Sequence, residues 1–384
     1  MTPKYYVKPL LRSVFILFIA IICSALLRAG SVYALDLKDR LFVPSKTFSK
    51  LEQSAFLDVE LLSGRLVALG ERGVIAYSDN GGELWSQSVV PVSTMLTAMH
   101  FIDETQGWAV GHSGVVLHTR DAGETWTLQF DGNSANQQLM LHAKDELRAK
   151  REQFEQANEE EQDDLSYEVE DAEFALSNAE FDGELGPANP LLDVWFESPE
   201  KGYVVGAYGL FFKTEDGGEN WLSQAHLLEN FDRYHLNSIK ALKSGAILIV
   251  GEAGSLFASY DKGEVWEALY APYQGSFFGI EEIERSEEVL IYGLKGNVYK
   301  SSDEGQSWSH IKVPVATSLT GSTVDEDGVI ILSGFSGVVM QSTDNGNSFA
   351  RVKQAGLEGY NSVAALKNSE LVLVSDQGVH FQSY

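Results

Sequence analysis

Cysteine is almost missing. The one copy, Cys23, lies in an apolar stretch near the N-terminus, so the remainder of the chain holds no disulfide and no thiolate metal cluster. The eight histidines are scattered and form no H-E-x-x-H run, which excludes that zinc signature. Basic residues are scarce, 28 against 55 acidic, for a formal net charge of −27, and such a chain repels nucleic acid and anionic lipid surfaces. Long hydrophobic runs are also missing, except SVFILFIAIICSALL at 13–27, which is short for a membrane span. Lys4, Lys8 and Arg12 precede this run and Val32-Tyr33-Ala34 follows it. Residues 1–34 therefore read as a cleaved signal peptide, and the mature chain 35–384 as exported, periplasmic and without a span of its own. Ile22 before Cys23 is not the small residue that a lipoprotein site needs. The acidity does not imply disorder, because 11% of residues are aromatic.

Six copies of one motif are present: SDNGGELW (78–85), TRDAGETW (119–126), TEDGGENW (214–221), SYDKGEVW (259–266), SSDEGQSW (301–308) and STDNGNSF (342–349). Each is S/T-x-D/N-x-G-x-x-W/F, the Asp-box. A short acid or amide accepts backbone N–H groups two or three residues on, and glycine supplies the backbone angle that closes the turn. The terminal Trp or Phe opens the next strand as a buried anchor. Asn80, Asp121, Asp216, Asp261, Asp303 and Asp344 are thus expected to be structural staples, not metal ligands or catalysts.

A G-x-x-G turn between two apolar runs precedes every box, starting at 70, 111, 206, 251, 293 and 334, with a degenerate copy, SDQG, at 375. The spacing is 41–45 residues apart from one interval of 95. Several short strands per unit at this period signal an all-β, seven-bladed β-propeller. The chain stops where its last box is due, so residues 41–45 are expected to supply the outermost strand of blade seven and leave no open sheet edge.

The long interval holds an insertion, 136–186. It has no glycine or proline from 134 to 182, and it carries sixteen acidic and four basic residues. Met140, Ala143, Leu147, Phe154 and Ala157 fall at heptad-like spacing, as do Leu165, Val169, Ala172, Leu176 and Ala179. Two antiparallel helices joined through the polar run 156–164 are expected, forming an acidic helical hairpin between blades two and three that could serve as a docking arm.

The G-x-x-G tips and the blade-to-blade connections should share one face. Its candidate binding rim comprises Arg72, His112, Tyr208, Glu252, Lys295, Phe335 and Asp376 from the tips, with Phe231, Arg233, Tyr234, Tyr270 and Tyr273 from two aromatic connections. Exposed aromatics and arginine are typical interface anchors. No catalytic residue, metal site or cofactor is assigned. A carbohydrate-active hydrolase, glycosidase- or sialidase-like, is the alternative, since Asp-boxes occur there too. Its candidate carboxylates are Glu71, Glu252 and Asp376. A sialidase needs three arginines on one face, and here only Arg72 and Arg233 map to the rim, while Arg65, Arg120 and Arg285 map to the other.

GWAVGHSGVVLHTRDAGETW (107–126) and GYVVGAYGLFFKTEDGGENW (202–221) resemble the photosystem II stability/assembly factor family of seven-bladed propellers. The resemblance spans nearly all of the mature chain except the hairpin. It implies a non-enzymatic exported protein that helps assemble or stabilise a membrane protein complex. In a photosynthetic cell the compartment would be lumen-like, and non-photosynthetic bacteria hold relatives as well. The expected partner is a membrane complex or the exported portion of a transporter, with no nucleic acid, and the chain is expected to act as a monomer.

Overall fold

The computed structural model describes residues 40–384 apart from 284, 285, 287, 353–355 and 357. The expected signal peptide, 1–34, and Arg285 fall outside the described residues. Among the described residues seven antiparallel sheets form, six of four strands and one of three, each in chain order from inside to outside. Blade two is typical, with Leu96–Phe101, Gly107–Gly111, Val116–Thr119 and Thr127–Phe130. The innermost strands of successive blades pack side by side, and Tyr360–Leu366 of blade seven returns to Phe56–Leu62 of blade one. The chain is a closed seven-bladed β-propeller.

The second strand of each blade has packed sheets on both sides. Gly107–Gly111, Gly202–Gly206, Ile247–Gly251 and Ile330–Gly334 are buried along their whole length. Their continuous apolar runs are what a strand without a wet face requires. The innermost strands instead mix buried and half-buried positions, and their polar side chains stitch neighbouring blades. Asp58 accepts the Met99 N–H at 3.0 Å, and Asp193 accepts that of Ile239 at 2.9 Å. Thr97, Asn237 and Thr320 donate to the carbonyls of Leu191, Phe277 and Tyr360 in the next blade. Asn361 repeats this across the closure, donating to the Phe56 carbonyl at 2.9 Å, and Ser362 donates to Asp58 at 2.8 Å.

The closure differs from the expectation for residues 41–45. Blade seven keeps three strands, Tyr360–Leu366, Glu370–Ser375 and Gly378–Ser383. Leu41 is buried in the core between blades one and two, and Ser45 N–H bonds to the Val90 carbonyl. The chain then runs along the outer edge, where Gln87 accepts the Phe48 N–H and donates to the Lys46 carbonyl. The turn Leu51–Gln53 reaches blade seven, packing Leu51 and Phe48 into a cluster with Val372, Val374 and Val379. Leu41 prefers the apolar joint between blades to an outer sheet position, so this strap covers the edge by packing and not by adding a strand.

The insertion forms α1 (Gly132–Gln156) and α2 (Glu159–Leu185). α1 begins four residues before 136 because Asp131 caps it, accepting from Asn133 and Ser134 N–H. The polar run 156–164 is mostly helix. Asn158 and Glu161 form a capping box, and three acids in the first turn of α2 suit the positive end of its dipole. Ala143, Leu147, Ala172 and Ala179 are buried along the helix–helix seam. Lys150–Glu168 and Arg151–Glu173 ion pairs flank it. At the base Asn136 donates to the carbonyls of Asp182 and Gly186, tying the helices together.

Candidate functional site

The boxes hold the end of the ring made by the turns between third and fourth strands. In blade two the Thr119 hydroxyl donates to Asp121 at 2.8 Å and accepts the Gly123 N–H at 3.1 Å, while Asp121 accepts the Thr125 N–H at 2.9 Å. Asn80, Asp216, Asp261, Asp303 and Asp344 accept the equivalent N–H of Leu84, Asn220, Val265, Ser307 and Ser348. The acceptor thus reaches four residues on in every box, Asp261 also takes the Glu264 N–H three residues on at 3.1 Å, and the Ser/Thr hydroxyl at the head of each box takes the glycine N–H two residues past the acid or amide. No group of three or more His, Cys, Asp or Glu among the described residues is placed to hold a metal.

These bonds favour the charged carboxylates. The Ser348 hydroxyl above all, outweighing burial, holds Asp344 at about 2, and bonds from Asn220 and from the Val265 N–H lower Asp216 and Asp261. A depressed folded-state value stabilises the fold above the unfolded value and is lost as pH falls through the folded one. The denaturation midpoint is therefore expected to drop as pH falls from the ordinary 3.8 towards about 2. Asp344→Asn should flatten that limb in a pH series of urea melts, and an unchanged limb would show that the staple is not responsible.

The opposite end carries the G-x-x-G tips. At each tip the first glycine meets the chain entering the blade. The Glu252 N–H bonds to the His235 carbonyl at 2.8 Å, and His112, Ala207, Leu294 and Phe335 make the equivalent bond. The next residue is left-handed, with φ of 58° at Arg72, 62° at Ser113, 55° at Tyr208 and 58° at Lys295, which turns its side chain off the sheet. Tyr208 and Phe335 are about half exposed, Lys295 and His112 are exposed, and Phe231 and Tyr270 stand 90% and 86% exposed. Burial still pushes His112 down. Glu71, Arg72 and Asp376 line a cavity of about 400 Å³ with Lys50 and Gln53 of the strap. Asp376 accepts from the Asn361 amide.

Three of the rim residues are tied down. Arg233 is not free: it pairs with Asp182 of α2 at 2.7 Å and donates to the Tyr208 carbonyl, so it anchors the hairpin to the tip of blade three. Glu252 lies 3.4 Å from His235 Nδ1, and that nitrogen accepts the Tyr208 N–H. Tyr273 is taken up by the core, edge-on to Phe277. Tyr234 remains exposed on the rim side of this cluster, its hydroxyl pushed up by the neighbouring Asp232. His142 of α1 meets His226 with ring centroids 4.7 Å apart, a second tether to blade three.

The channel between the innermost strands is polar. Lys240 pairs with Glu281 at 2.6 Å, whose other oxygen accepts from Ser322. Burial opposes the Lys240 charge, but Glu281 raises its pKa overall. Burial, with Lys240, pushes His100 down to about 4, leaving a neutral ring whose Nδ1 accepts the Phe196 N–H. Burial raises Asp193 to about 6 and Glu60 well above its ordinary value. None of these residues stands out in the sequence, because each sits singly on its own strand and only ring closure gathers them.

The family model described as photosynthesis system II assembly factor YCF48 matches residues 177–332. About two-fifths of the chain, three of the boxes among it, is similar to the photosystem II assembly factor-like family. The chain is 35% identical over 83 residues to "Photosystem II assembly lipoprotein Ycf48" of Synechococcus sp. (strain CC9902), covering 22% of this chain and 24% of that protein. It is 27% identical over 263 residues to "Photosystem II stability/assembly factor HCF136, chloroplastic" of Cyanidioschyzon merolae (strain NIES-3377 / 10D), covering 62% of this chain and 53% of that one. The chain thus spans a quarter to a half of the length of these relatives. A solved structure titled "YCF48 bound to D1 peptide" shares the fold at 12% identity with a TM-score of 0.57, covering 89% of this chain and 99% of that chain. An ancestral GH74 enzyme also shares it, at 9% identity and a TM-score of 0.60, covering 88% of this chain and 46% of that one. Within the stretch that matches the family lie Tyr208, Phe231, Arg233, Glu252, Tyr270 and Lys295, and α1, Arg72, His112, Phe335 and Asp376 lie outside it.

Proposed function

We propose that this chain is an exported, non-enzymatic assembly factor that seats an extramembrane segment of a membrane protein on its rim. The observation that carries this reading is the set of exposed aromatic side chains Tyr208, Phe231, Tyr270 and Phe335, on the end of the ring away from the boxes. Rigid aromatics on turns held by backbone bonds bury large area at low entropic cost. The names of the relatives, and the peptide in the related structure, support a protein segment as ligand. The signal-like residues 1–34 support export to a periplasm or lumen-like space, and among the described residues no helix is long and apolar enough to cross a membrane.

Replacing Tyr208, Phe231, Tyr270 and Phe335 together by alanine is expected to cut recovery of the membrane partner from detergent-solubilised membranes by about tenfold or more, the scale of lost aromatic anchors. Undiminished recovery would remove the rim from the function. The hydrolase alternative draws on Glu71 and Asp376 sharing one cavity. Glycoside hydrolysis that disappears in Glu71→Gln and Asp376→Asn would establish it in place of the binding reading.

A further inference from the structure

α2 carries two apolar stripes. Its seam, through Ala172 and Ala179, packs on α1. Tyr167, Phe174 and Phe181 recur at seven-residue spacing, with Leu185 four residues further on. At 3.6 residues per turn this second stripe lies about half a turn from the seam and faces solvent. Tyr167 is 69% exposed, Phe174 68%, Phe181 59% and Leu185 58%. A line of mostly exposed aromatics along one helix face is more than the hairpin's own packing uses, and exposed apolar surface of this kind marks an interaction surface.

The charge around the stripe states what kind of surface fits it. α2 contains twelve acidic residues and no basic one. Glu168, Glu173 and Asp182 are paired with Lys150, Arg151 and Arg233. Asp163, Asp164, Glu170 and Asp171 flank the stripe, exposed, with no cation at ion-pair distance among the described residues. A second copy of the chain would bring acid against acid, and an anionic membrane would be repelled in the same way. A basic amphipathic helix complements both features: its apolar side chains cover the aromatics and its Lys and Arg meet the flanking carboxylates.

We propose that the outer face of α2 docks a basic amphipathic helix of a partner protein along Tyr167, Phe174, Phe181 and Leu185. The eighteen steps from Tyr167 to Leu185 measure about 27 Å at 1.5 Å per residue. This surface shares no side chain with the aromatic rim, and neither proposal requires the other.

The test uses the full chain and two synthetic helical peptides of about three heptads, with leucine at the seam and either Lys or Glu flanking it. By fluorescence anisotropy the Lys peptide is expected to bind, more weakly as salt rises. Affinity should fall about tenfold or more in the triple variant Tyr167→Ser, Phe174→Ser, Phe181→Ser. It should be unchanged in Tyr208→Ala, Phe231→Ala, which separates this surface from the rim. The charge reversal Asp163→Lys, Asp164→Lys, Glu170→Lys, Asp171→Lys leaves the stripe in place and should transfer preference to the Glu peptide, so the proposal stays testable even if the serine variant loses helix by circular dichroism. Equal binding of both peptides, indifference to the charge reversal, stripe-dependent self-association in sedimentation, or preferential binding to anionic vesicles would each overturn it.

Discussion

Gly251→Ala is expected to destabilise the propeller by about 3 kcal/mol, the upper range for forced overpacking. Its φ of −159° is ordinary extended backbone, so conformational freedom is not the reason for glycine. The reason is proximity: a Cβ here would stand 2.2 Å from the His235 carbonyl oxygen and 3.3 Å from the Leu236 Cα. Both are backbone, and that oxygen already accepts the Glu252 N–H. The chain entering the blade would have to move, carrying with it His235, Tyr208 and Glu252 of the rim. Gly245→Ala is the control. Its φ is +95° with open space around a Cβ, so only the left-handed penalty of about 1 kcal/mol applies. Urea denaturation of the two variants should separate them clearly. Equal costs would mean that the entering chain yields easily and that the glycine is dispensable at this turn.

Trp108→Ala should cost about 4 kcal/mol, as large aromatic-to-alanine changes in a core do. Trp108 is fully buried between Phe196 of blade three, at 3.6 Å between ring centroids, and His118 of its own blade, at 4.5 Å. Its Nε1–H donates to Gln129, and Gln129 donates on to the Gly217 carbonyl inside the next box. Alanine removes the plate between two blades and strands the Gln129 acceptor. Trp108→Phe keeps a stacked ring and loses one hydrogen bond, so it should recover most of the loss. Hydrogen exchange should rise first in Gly107–Gly111 and Leu191–Phe196. A loss below about 1 kcal/mol would show that this joint does not depend on the stack.

Much of the architecture was legible because it repeats. The G-x-x-G turns and the boxes are short local devices whose side chains bond within a few residues, so spacing alone locates them. The seventh blade was legible from SDQG at 375 in spite of its serine. The box acids reach four residues on as well as the expected three, because the leading Ser or Thr, which in the sequence reads as a simple preference, takes the N–H two residues past the acid with its hydroxyl. The strap at 41–45 was misplaced because Leu41 and Ser45 carry no signal for which joint they enter. At the site the tips were readable, but Arg233 and Tyr273 were not. An arginine next to aromatics reads as an anchor until Asp182, 51 positions away in the chain, is seen to hold it. The outward stripe on α2 was hidden by the stronger inward seam, since one heptad pattern masks another on the same helix.

The edge strap has a mechanical implication. Blade seven meets blade one through Asn361, Ser362 and an apolar joint in which Leu51 and Phe48 join Phe56, Val59, Leu66, Ala364, Val372 and Val374, with no β-ladder between the two blades among the described residues. The wheel is latched, not woven. Such a latch can release by parting one apolar joint and leaving every sheet intact, so a gap between the first and last blades offers a route to unfolding that tears neither.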